Sequence, residues 1–139
     1  MVYKTIISVD DLKNNLNNDD FLIFDSRCDI KDSGYGIDSY TEGHIPNSIF
    51  VDVDTDLASE KRPGTGRHPL PDPNTFSEKL SHWGMSNKKQ VVVYDDAGGA
   101  FAGRLWWMLK WLGHEAVAVL DGGLNSWVKG GNKLVTTPT

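Results

Sequence analysis

Three continuous apolar runs, each ending at an aspartate, constrain the fold of this chain more than any other feature. They are FLIFD (21–25), QVVVYD (90–95) and AVAVLD (116–121). Unbroken apolar runs of this length are typical of parallel strands that are covered on both faces. SIFVD (48–52) is a shorter candidate strand. Segments with helical spacing separate these runs, so the sequence predicts an α/β fold, a mostly parallel sheet with helices on both faces.

The helical segments carry recognisable start and stop signals. Ser8, followed three residues later by Asp11, resembles a capping box and predicts a first helix. A helix is predicted over 72–84, with Asp72 as its cap, Pro73 at the first helical position and Gly84 as its terminator. A further helix is predicted from about 100 to 112, with an apolar stripe made by Phe101, Leu105, Met108, Leu109 and Leu112. The segment GLNSWVKGG (123–131) predicts a last, short helix.

Two polar stretches, 26–39 and 62–73, are predicted to be loops, because the first contains two glycines and the second carries four of the six prolines. From Thr136 onward the chain contains only threonine and proline. We therefore predict one domain over 1–135 and the start of a linker or tail over 136–139.

Length and charge narrow the class of protein. A chain of 139 residues, 39% hydrophobic and 24% charged, suits a single globular domain. The formal net charge of −5 argues against nucleic acid or anionic lipid as a partner, because both require a basic surface. No apolar run approaches the length needed to span a bilayer, and no signal peptide is recognisable. We expect a cytoplasmic protein that does not bind membranes.

The segment DDAGGAFAGR (95–104) follows the best strand and leads into a helix, which is the usual place for a reactive loop in an α/β protein. Glycine-rich backbone before a helix presents free N–H groups to an anion. The helix dipole stabilises such an anion by about 0.3–1 kcal/mol, whereas each aspartate about 6 Å away would repel it by roughly 3 kcal/mol. Unless Asp95 and Asp96 turn away or pair with a cation such as Arg104, we expect the aspartates themselves to occupy the amide-rich concavity.

Other reactive patterns are absent or weak. Cys28 is the only cysteine, and Asp25 and Asp29 beside it disfavour the thiolate, so an ordinary loop thiol is expected. The four histidines (44, 68, 82 and 114) lack the spacing of metal ligands. Neither Gly-x-Ser-x-Gly nor Gly-x-Gly-x-x-Gly occurs in the loop. We expect no metal and no cofactor.

The helix after this loop carries more tryptophan than its apolar stripe requires. Trp106, Trp107 and Trp111 add to a face that is already complete. Either they pack between the sheet and neighbouring loops, or part of this surface meets another domain or subunit, where tryptophan is enriched.

Several separate motifs together resemble the rhodanese family. YTEGHIPNSIFVD (40–52) resembles its first signature, with Asn47 and Ser48 in place of the usual Gly-Ala. FDSR (24–27) and VLDGGLNSW (119–127) resemble its Asp-x-Arg and Asp-Gly-Gly…Trp segments. Two further segments, HPLPDPNTFSEKLSHWGMSNKKQVVVYDD (68–96) and AFAGRLWWMLKWLGHE (100–115), are most similar to the first domain of the tandem thiosulfate and 3-mercaptopyruvate sulfurtransferases. The resemblance implies a rhodanese-like three-layer fold with a five-stranded, mostly parallel sheet.

The resemblance also implies where the chemistry would lie. In the family, a cysteine at the first position of the loop after the central strand carries sulfur as a persulfide, and here Asp95 holds that position. No catalytic residue is therefore expected. The positions equivalent to the active loop are Asp95, Asp96, Ala97, Gly98, Gly99, Ala100, Phe101 and Arg104. A related phosphatase activity is disfavoured because it needs a cysteine in the loop, and Arg104 lies too far along.

The implied function is that of a non-catalytic domain. Its partners would be a second, catalytic rhodanese domain and a small sulfur-containing substrate, and parts of the helix with Trp106 and Trp107 would face that domain. The alternative is a free-standing rhodanese-like binding or regulatory module without chemistry. Four positions match the family's pocket motif, and we expect them to form an ion-pair and hydrogen-bond cluster at the strand ends: Asp25, Arg27, Glu42 and His44.

Overall fold

The structure is a computed structural model, and it describes residues 2–58 and 70–137. Within these ranges five strands form one parallel sheet in the order β1-β5-β4-β2-β3. The strands are β1 (Ile6–Ile7), β2 (Phe21–Asp25), β3 (Ser48–Phe50), β4 (Gln90–Tyr94) and β5 (Val117–Leu120). The prediction of an α/β fold with a five-stranded parallel sheet is confirmed.

Five helices are found in the same ranges, and they alternate with the strands. They are α1 (Val9–Asn14), α2 (Tyr35–Glu42), α3 (Pro73–His82), α4 (Ala102–Trp111) and α5 (Gly123–Lys129). The predicted caps are present: the Ser8 hydroxyl accepts from the Asp11 amide, and the Asp72 carboxylate accepts from the amides of Asn74 and Thr75. These side chains satisfy N–H groups that the first helical turn leaves without a partner.

The central strand β4 divides the apolar interior into two cores. Val91 and Val93 pack on one face of the sheet, against buried side chains of α3 and α4 such as Phe76 and Met108. Val92 and Tyr94 pack on the other face, in the core that contains Leu12 of α1 and Trp127 of α5. Successive side chains of a strand point to opposite faces. A strand that is buried on both sides therefore has an unbroken apolar run in its sequence.

Two elements of the fold were not predicted from the sequence. The edge strand β1 has only two residues and was not predicted. The prediction of a loop over 26–39 holds for residues 26–34 and is wrong for 35–39, because α2 begins at Tyr35. Gly36 is a poor helix former, so its presence argued against a helix here. Glycine is required at this position because a Cβ atom would lie 2.3 Å from the Arg27 carbonyl oxygen. Most of the predicted loop at 62–73 lies outside the described residues.

The segment after α5 returns to the turn that follows α2. Val135 and His44 exchange backbone hydrogen bonds of 2.8 and 2.9 Å in an antiparallel bridge. Beyond it, the Thr137 carbonyl lies 2.9 Å from Nε2 of His44. This part of the predicted tail is therefore held against the domain, and residues 138 and 139 lie outside the described ranges.

Candidate functional site

The carboxylate of Asp95 fills the loop between β4 and α4. Its Oδ1 accepts hydrogen bonds from the amides of Ala97 (3.0 Å) and Gly99 (2.9 Å). Its Oδ2 accepts from the amides of Phe101 (2.9 Å) and Ala102 (2.8 Å). Only 1% of the residue is exposed. A ring of four amides at a helix N-terminus is suited to binding an anion. Here the group that occupies the ring is the side-chain carboxylate of Asp95.

This geometry confirms the expectation that an aspartate occupies the concavity, but only for Asp95. The expectation is wrong for Asp96, whose carboxylate turns outward and accepts a hydrogen bond from the Tyr35 hydroxyl of α2. That bond, together with burial, raises the pKa of Tyr35. Arg104 pairs with neither aspartate; its guanidinium donates to the Leu57 carbonyl at 2.7 and 3.1 Å.

The backbone of Asp95 is bound as closely as its side chain. Its carbonyl oxygen accepts a hydrogen bond of 2.9 Å from the Leu124 amide at the start of α5. Gly123 lies directly against this carbonyl, where a Cβ atom would approach the oxygen to 2.5 Å, and it adopts a φ of +59°. The Asp-Gly-Gly segment at 121–123 therefore allows α5 to pack against the loop, a role that was not predicted from the sequence.

A buried polar network lies behind the loop, at the carboxyl ends of β2 and β4. Arg27 and Asp25 form an ion pair of 2.7 Å, and Arg27 also donates to the Gly43 carbonyl. The Tyr94 hydroxyl donates to Oδ2 of Asp25 at 2.9 Å and accepts from the Ile45 amide at 3.1 Å. Burial, followed by the charge of Asp25, raises the pKa of Tyr94, so this hydroxyl remains neutral. The network connects β2, β4 and the turn after α2.

The expected cluster of four motif residues forms only in part. Asp25 and Arg27 are joined, and His44 is buried nearby, stacked on Tyr40 with ring centroids 3.7 Å apart. The ring nitrogens of His44 face the carbonyls of Tyr40 and Thr137 rather than the ion pair. Glu42 is exposed at the end of α2, and within the described residues its side chain forms no hydrogen bond or ion pair with the other three, so it does not join the predicted cluster.

Cys28 lies on the rim of the site with an unreactive thiol. Burial, together with the charges of Asp54, Asp52 and Asp29, raises its pKa to about 11. A thiol is nucleophilic as the thiolate, so little of the reactive form exists at neutral pH. The structure supports the expectation of an ordinary loop thiol.

Two adjoining depressions open beside the loop, and Ile30 and Phe101 border both of them. The first, which we term the acidic depression, has a volume of about 720 Å³ and is lined by Cys28, Asp29, Ile30, Lys31, Tyr35, Asp96 and Phe101. The second, which we term the apolar groove, has a volume of about 530 Å³ and is lined by Ile30, Val53, Leu70, Ala100, Phe101, Arg104 and Trp107. Both lie at the edge of the sheet where β2 and β4 end, which is the usual ligand edge of an open α/β sheet.

The structure separates the three tryptophans of α4 into two classes. Trp106 is partly buried, packs against the core and donates from its indole nitrogen to the Lys4 carbonyl at 3.0 Å. Trp107 and Trp111 are exposed and stacked, with ring centroids 6.0 Å apart and planes inclined by 10°. Packing within the domain thus explains Trp106 and not the other two.

Residues 2–58 and 70–137 contain no group of three or more His, Cys, Asp or Glu side chains arranged to hold a metal ion. No helix there combines the length and the apolar character that crossing a bilayer requires.

The sequence model of the rhodanese-like domain matches residues 8–130 of this chain. The chain belongs to the rhodanese family. Solved structures agree with this assignment. The rhodanese domain superimposes on 3-mercaptopyruvate sulfurtransferase from Leishmania major with a TM-score of 0.89, at 31% identity over 98% of this chain and 37% of that one. It superimposes on SseA from Escherichia coli, described as a 3-mercaptopyruvate sulfotransferase, with a TM-score of 0.81, at 29% identity over 99% and 52% of the two chains.

Curated relatives carry related names and are longer. The rhodanese domain is 45% identical over 128 residues to a probable 3-mercaptopyruvate sulfurtransferase of Pseudomonas aeruginosa, covering 91% of this chain and 45% of that protein. It is 40% identical over 123 residues to the mitochondrial thiosulfate/3-mercaptopyruvate sulfurtransferase 1 of Arabidopsis thaliana, covering 88% of this chain and 32% of that protein. The chain therefore spans less than half the length of these relatives.

Proposed function

We propose that this rhodanese domain is the non-catalytic domain of a sulfurtransferase. The donor would be thiosulfate or 3-mercaptopyruvate, and the sulfur would be carried as a persulfide on a cysteine of a second rhodanese domain. One observation carries the proposal: the four inward-facing amides of the loop are already bound to the carboxylate of Asp95.

The chemistry of a carboxylate makes the loop unsuited to sulfur transfer. A carboxylate oxygen forms no persulfide, and the loop from 95 to 104 contains no other nucleophile. Thiosulfate and 3-mercaptopyruvate are themselves anions. At about 6 Å, the charge of Asp95 or Asp96 opposes a monoanion by roughly 3 kcal/mol at an effective dielectric near 20. The loop therefore disfavours the donors as well as the reaction.

The names and lengths of the relatives support the partner domain. The P. aeruginosa relative has more than half of its length outside the matched segment, which leaves room for a domain of similar size. The depressions beside the loop supply a surface on which such a domain could close over a substrate.

The proposal is tested by measuring sulfur transfer in two preparations. The rhodanese domain alone, with thiosulfate and cyanide or with 3-mercaptopyruvate and a thiol acceptor, should show no turnover under conditions where the P. aeruginosa relative is active. A chimaera, in which this chain replaces the matched 128-residue segment of that relative, should retain activity.

The outcomes discriminate between the candidate functions. Turnover by the domain alone would contradict the proposal, and its loss in Cys28→Ser would then identify Cys28 as the nucleophile. A chimaera that is folded by circular dichroism but inactive would contradict the proposal in favour of a free-standing binding or regulatory module.

A further inference from the structure

The last described segment of the chain is bound to the domain at several points. We term residues 133–137 the C-terminal strap. The carbonyl of its first residue accepts a hydrogen bond of 2.9 Å from the indole N–H of Trp127. Val135 and His44 exchange two backbone hydrogen bonds, and the Thr137 carbonyl lies 2.9 Å from Nε2 of His44. His44 therefore contacts the strap through its backbone and through its ring.

The ring of His44 lies between two carbonyl oxygens. Nδ1 is 2.7 Å from the Tyr40 oxygen, and Nε2 is 2.9 Å from the Thr137 oxygen. A carbonyl oxygen only accepts, so each contact is a hydrogen bond only when the ring nitrogen carries a proton. Neutral imidazole has one N–H and would turn a lone pair toward the other oxygen, whereas imidazolium donates to both. The geometry of the bound strap therefore matches the protonated ring.

The neutral ring should keep its bond to Tyr40 and lose the bond to Thr137. The Tyr40 carbonyl lies in the last turn of α2, where carbonyls lack a helical amide as donor. His44 lies four residues farther on, but its amide donates to the Val135 carbonyl at 2.9 Å. Its Nδ1–H therefore takes the place of the helical donor to Tyr40, across a single turn. Thr137 is exposed, so its carbonyl can exchange Nε2 for water.

Burial opposes a charge on the His44 ring, and an aromatic contact favours it. None of the residue is exposed, and burial penalises an ion. The ring stacks on that of Tyr40 with centroids 3.7 Å apart and planes inclined by 4°, and the face of an aromatic ring attracts a cation. Arg27, just after β2, donates to the carbonyl of the neighbouring Gly43, but its charge is paired with Asp25 at 2.7 Å. This ion pair therefore adds little net charge beside the ring.

The other titratable groups near this ring in the described ranges are neutral or exposed. The Tyr94 hydroxyl of β4 accepts from the Ile45 amide, and its pKa, raised first by burial, keeps it neutral. Glu42 at the end of α2 and Lys133 at the start of the strap are exposed to water, which weakens their effect on a buried ring. The two carbonyl oxygens are therefore the groups that respond directly to the protonation of His44.

We propose that the C-terminal strap is a pH-sensitive switch, closed when His44 is protonated and open toward Thr137 when His44 is neutral. Loss of the Nε2 proton to solvent removes a charge-assisted hydrogen bond and leaves a lone pair facing the Thr137 oxygen. Water then takes the place of each partner, so the bound strap becomes less stable as the pH rises. Both partners lie in this domain, so the switch does not require a second domain.

The test measures the ring and the strap in the same samples between about pH 5 and 8, the range in which histidines change charge. Nitrogen NMR of the imidazole reports how many ring nitrogens carry a proton. Hydrogen exchange of the Val135 amide, corrected for the intrinsic rate, reports its bond of 2.8 Å to the His44 carbonyl. We expect a doubly protonated ring at the acidic end and about tenfold lower protection of Val135 at the basic end. The control is the Val119 amide, which binds the Thr5 carbonyl at the β1 edge and should keep its protection.

A variant separates the charge of the ring from its hydrogen bond. His44→Gln keeps a side-chain N–H donor that does not titrate, so its Val135 protection should be the same at both ends of the pH range. If this variant fails to fold by circular dichroism, the ring and exchange profiles of the unsubstituted chain remain the test. Val135 protection that does not follow the charge of His44, or a ring whose charge is the same at both ends of the range, would overturn the inference. A folded His44→Gln variant with the pH dependence of the unsubstituted chain would overturn it as well.

Discussion

The backbone carbonyl of Asp95 accepts a hydrogen bond of 2.9 Å from the amide of Leu124, the second residue of α5. The carboxylate of the same aspartate binds the amides that precede and begin α4. One residue therefore fixes the N-termini of two helices that lie on opposite faces of the sheet. The loop is therefore held by contacts that this chain supplies from its own residues.

Replacing Asp95 should destabilise the domain substantially. Asp95→Ala leaves four amides between residues 97 and 102 without their acceptor. An unsatisfied buried donor costs about 1–3 kcal/mol, and water can reach part of the emptied loop. We expect a loss of about 3 kcal/mol in the free energy of unfolding, measured in urea. Asp121→Ala, at an exposed position, should change it by less than about 0.5 kcal/mol.

The same variant can be tested by restoring the anion. Formate is a small carboxylate that can replace the one removed in Asp95→Ala. It should bind the four vacated amides and raise the unfolding temperature of this variant. Sodium chloride at equal ionic strength is the control, and the unsubstituted chain should show no formate-specific shift. An Asp95→Ala variant as stable as the unsubstituted chain, and indifferent to formate, would mean that the amides do not require an anion.

Gly123 should tolerate no side chain. A Cβ atom there would lie 2.5 Å from the Asp95 carbonyl oxygen, and the φ of +59° is itself unfavourable for other residues. We expect Gly123→Ala to lower the free energy of unfolding by about 2–4 kcal/mol. Gly131→Ala is the matched control, since its φ is +81° but nothing lies within 4 Å. Its loss should be about 1 kcal/mol, and equal losses would show that close approach to Asp95 does not matter.

The Tyr94 hydroxyl should contribute measurably to stability. Tyr94→Phe removes the donor to Asp25 and the acceptor of the Ile45 amide, both of which are buried. A loss of about 2–3 kcal/mol is expected in urea unfolding. Tyr3→Phe, which removes a partly buried bond of 3.1 Å to Asp11, should cost less than about 1 kcal/mol. A Tyr94→Phe loss no larger than that of Tyr3→Phe would contradict the network described for the strand ends.

Cys28 should react slowly until the pH is high. Burial and the nearby aspartates raise the pKa of Cys28 to about 11 from its ordinary value of 9.0, so the thiol form is favoured in the folded state between these two values. Alkylation by iodoacetamide at pH 8 should be slower than in the guanidinium-unfolded chain by on the order of a hundredfold. The rate should rise with pH until about 11. Rapid alkylation of the folded chain at pH 7 would contradict the environment described for this thiol.

The sequence predicted most of the fold because the central strands bury both faces. Three predicted elements match the structure within two residues at each end. They are the apolar runs at 21–25 and 90–95 and the helix predicted over 72–84 from its start and stop signals. The helix α2 was missed because Gly36 reflects close contact with the Arg27 carbonyl, a tertiary requirement that local propensity does not reveal. The short β1 was missed because two residues carry no periodicity.

The candidate site was predicted in outline from local chemistry and was corrected in detail by tertiary contacts. The aspartates repel a bound anion more strongly than the loop amides and the helix dipole attract it. This comparison predicted that an aspartate would fill the concavity, which holds for Asp95. The outward turn of Asp96 depends on Tyr35, which is 61 residues distant in sequence, and no local pattern reports such a contact. The exposure of Trp107 and Trp111, against the packing of Trp106, likewise required the orientation of α4.

The most direct test of the central claim is whether the chain itself takes up sulfur. The purified domain is incubated with 3-mercaptopyruvate or thiosulfate, and its intact mass is measured beside that of the P. aeruginosa relative. With Asp95 in the loop and Cys28 protonated, we predict that the domain gains no sulfur atom while the relative gains one. A sulfur adduct on this domain, mapped by peptide analysis to Cys28 or to the loop 95–104, would contradict the account.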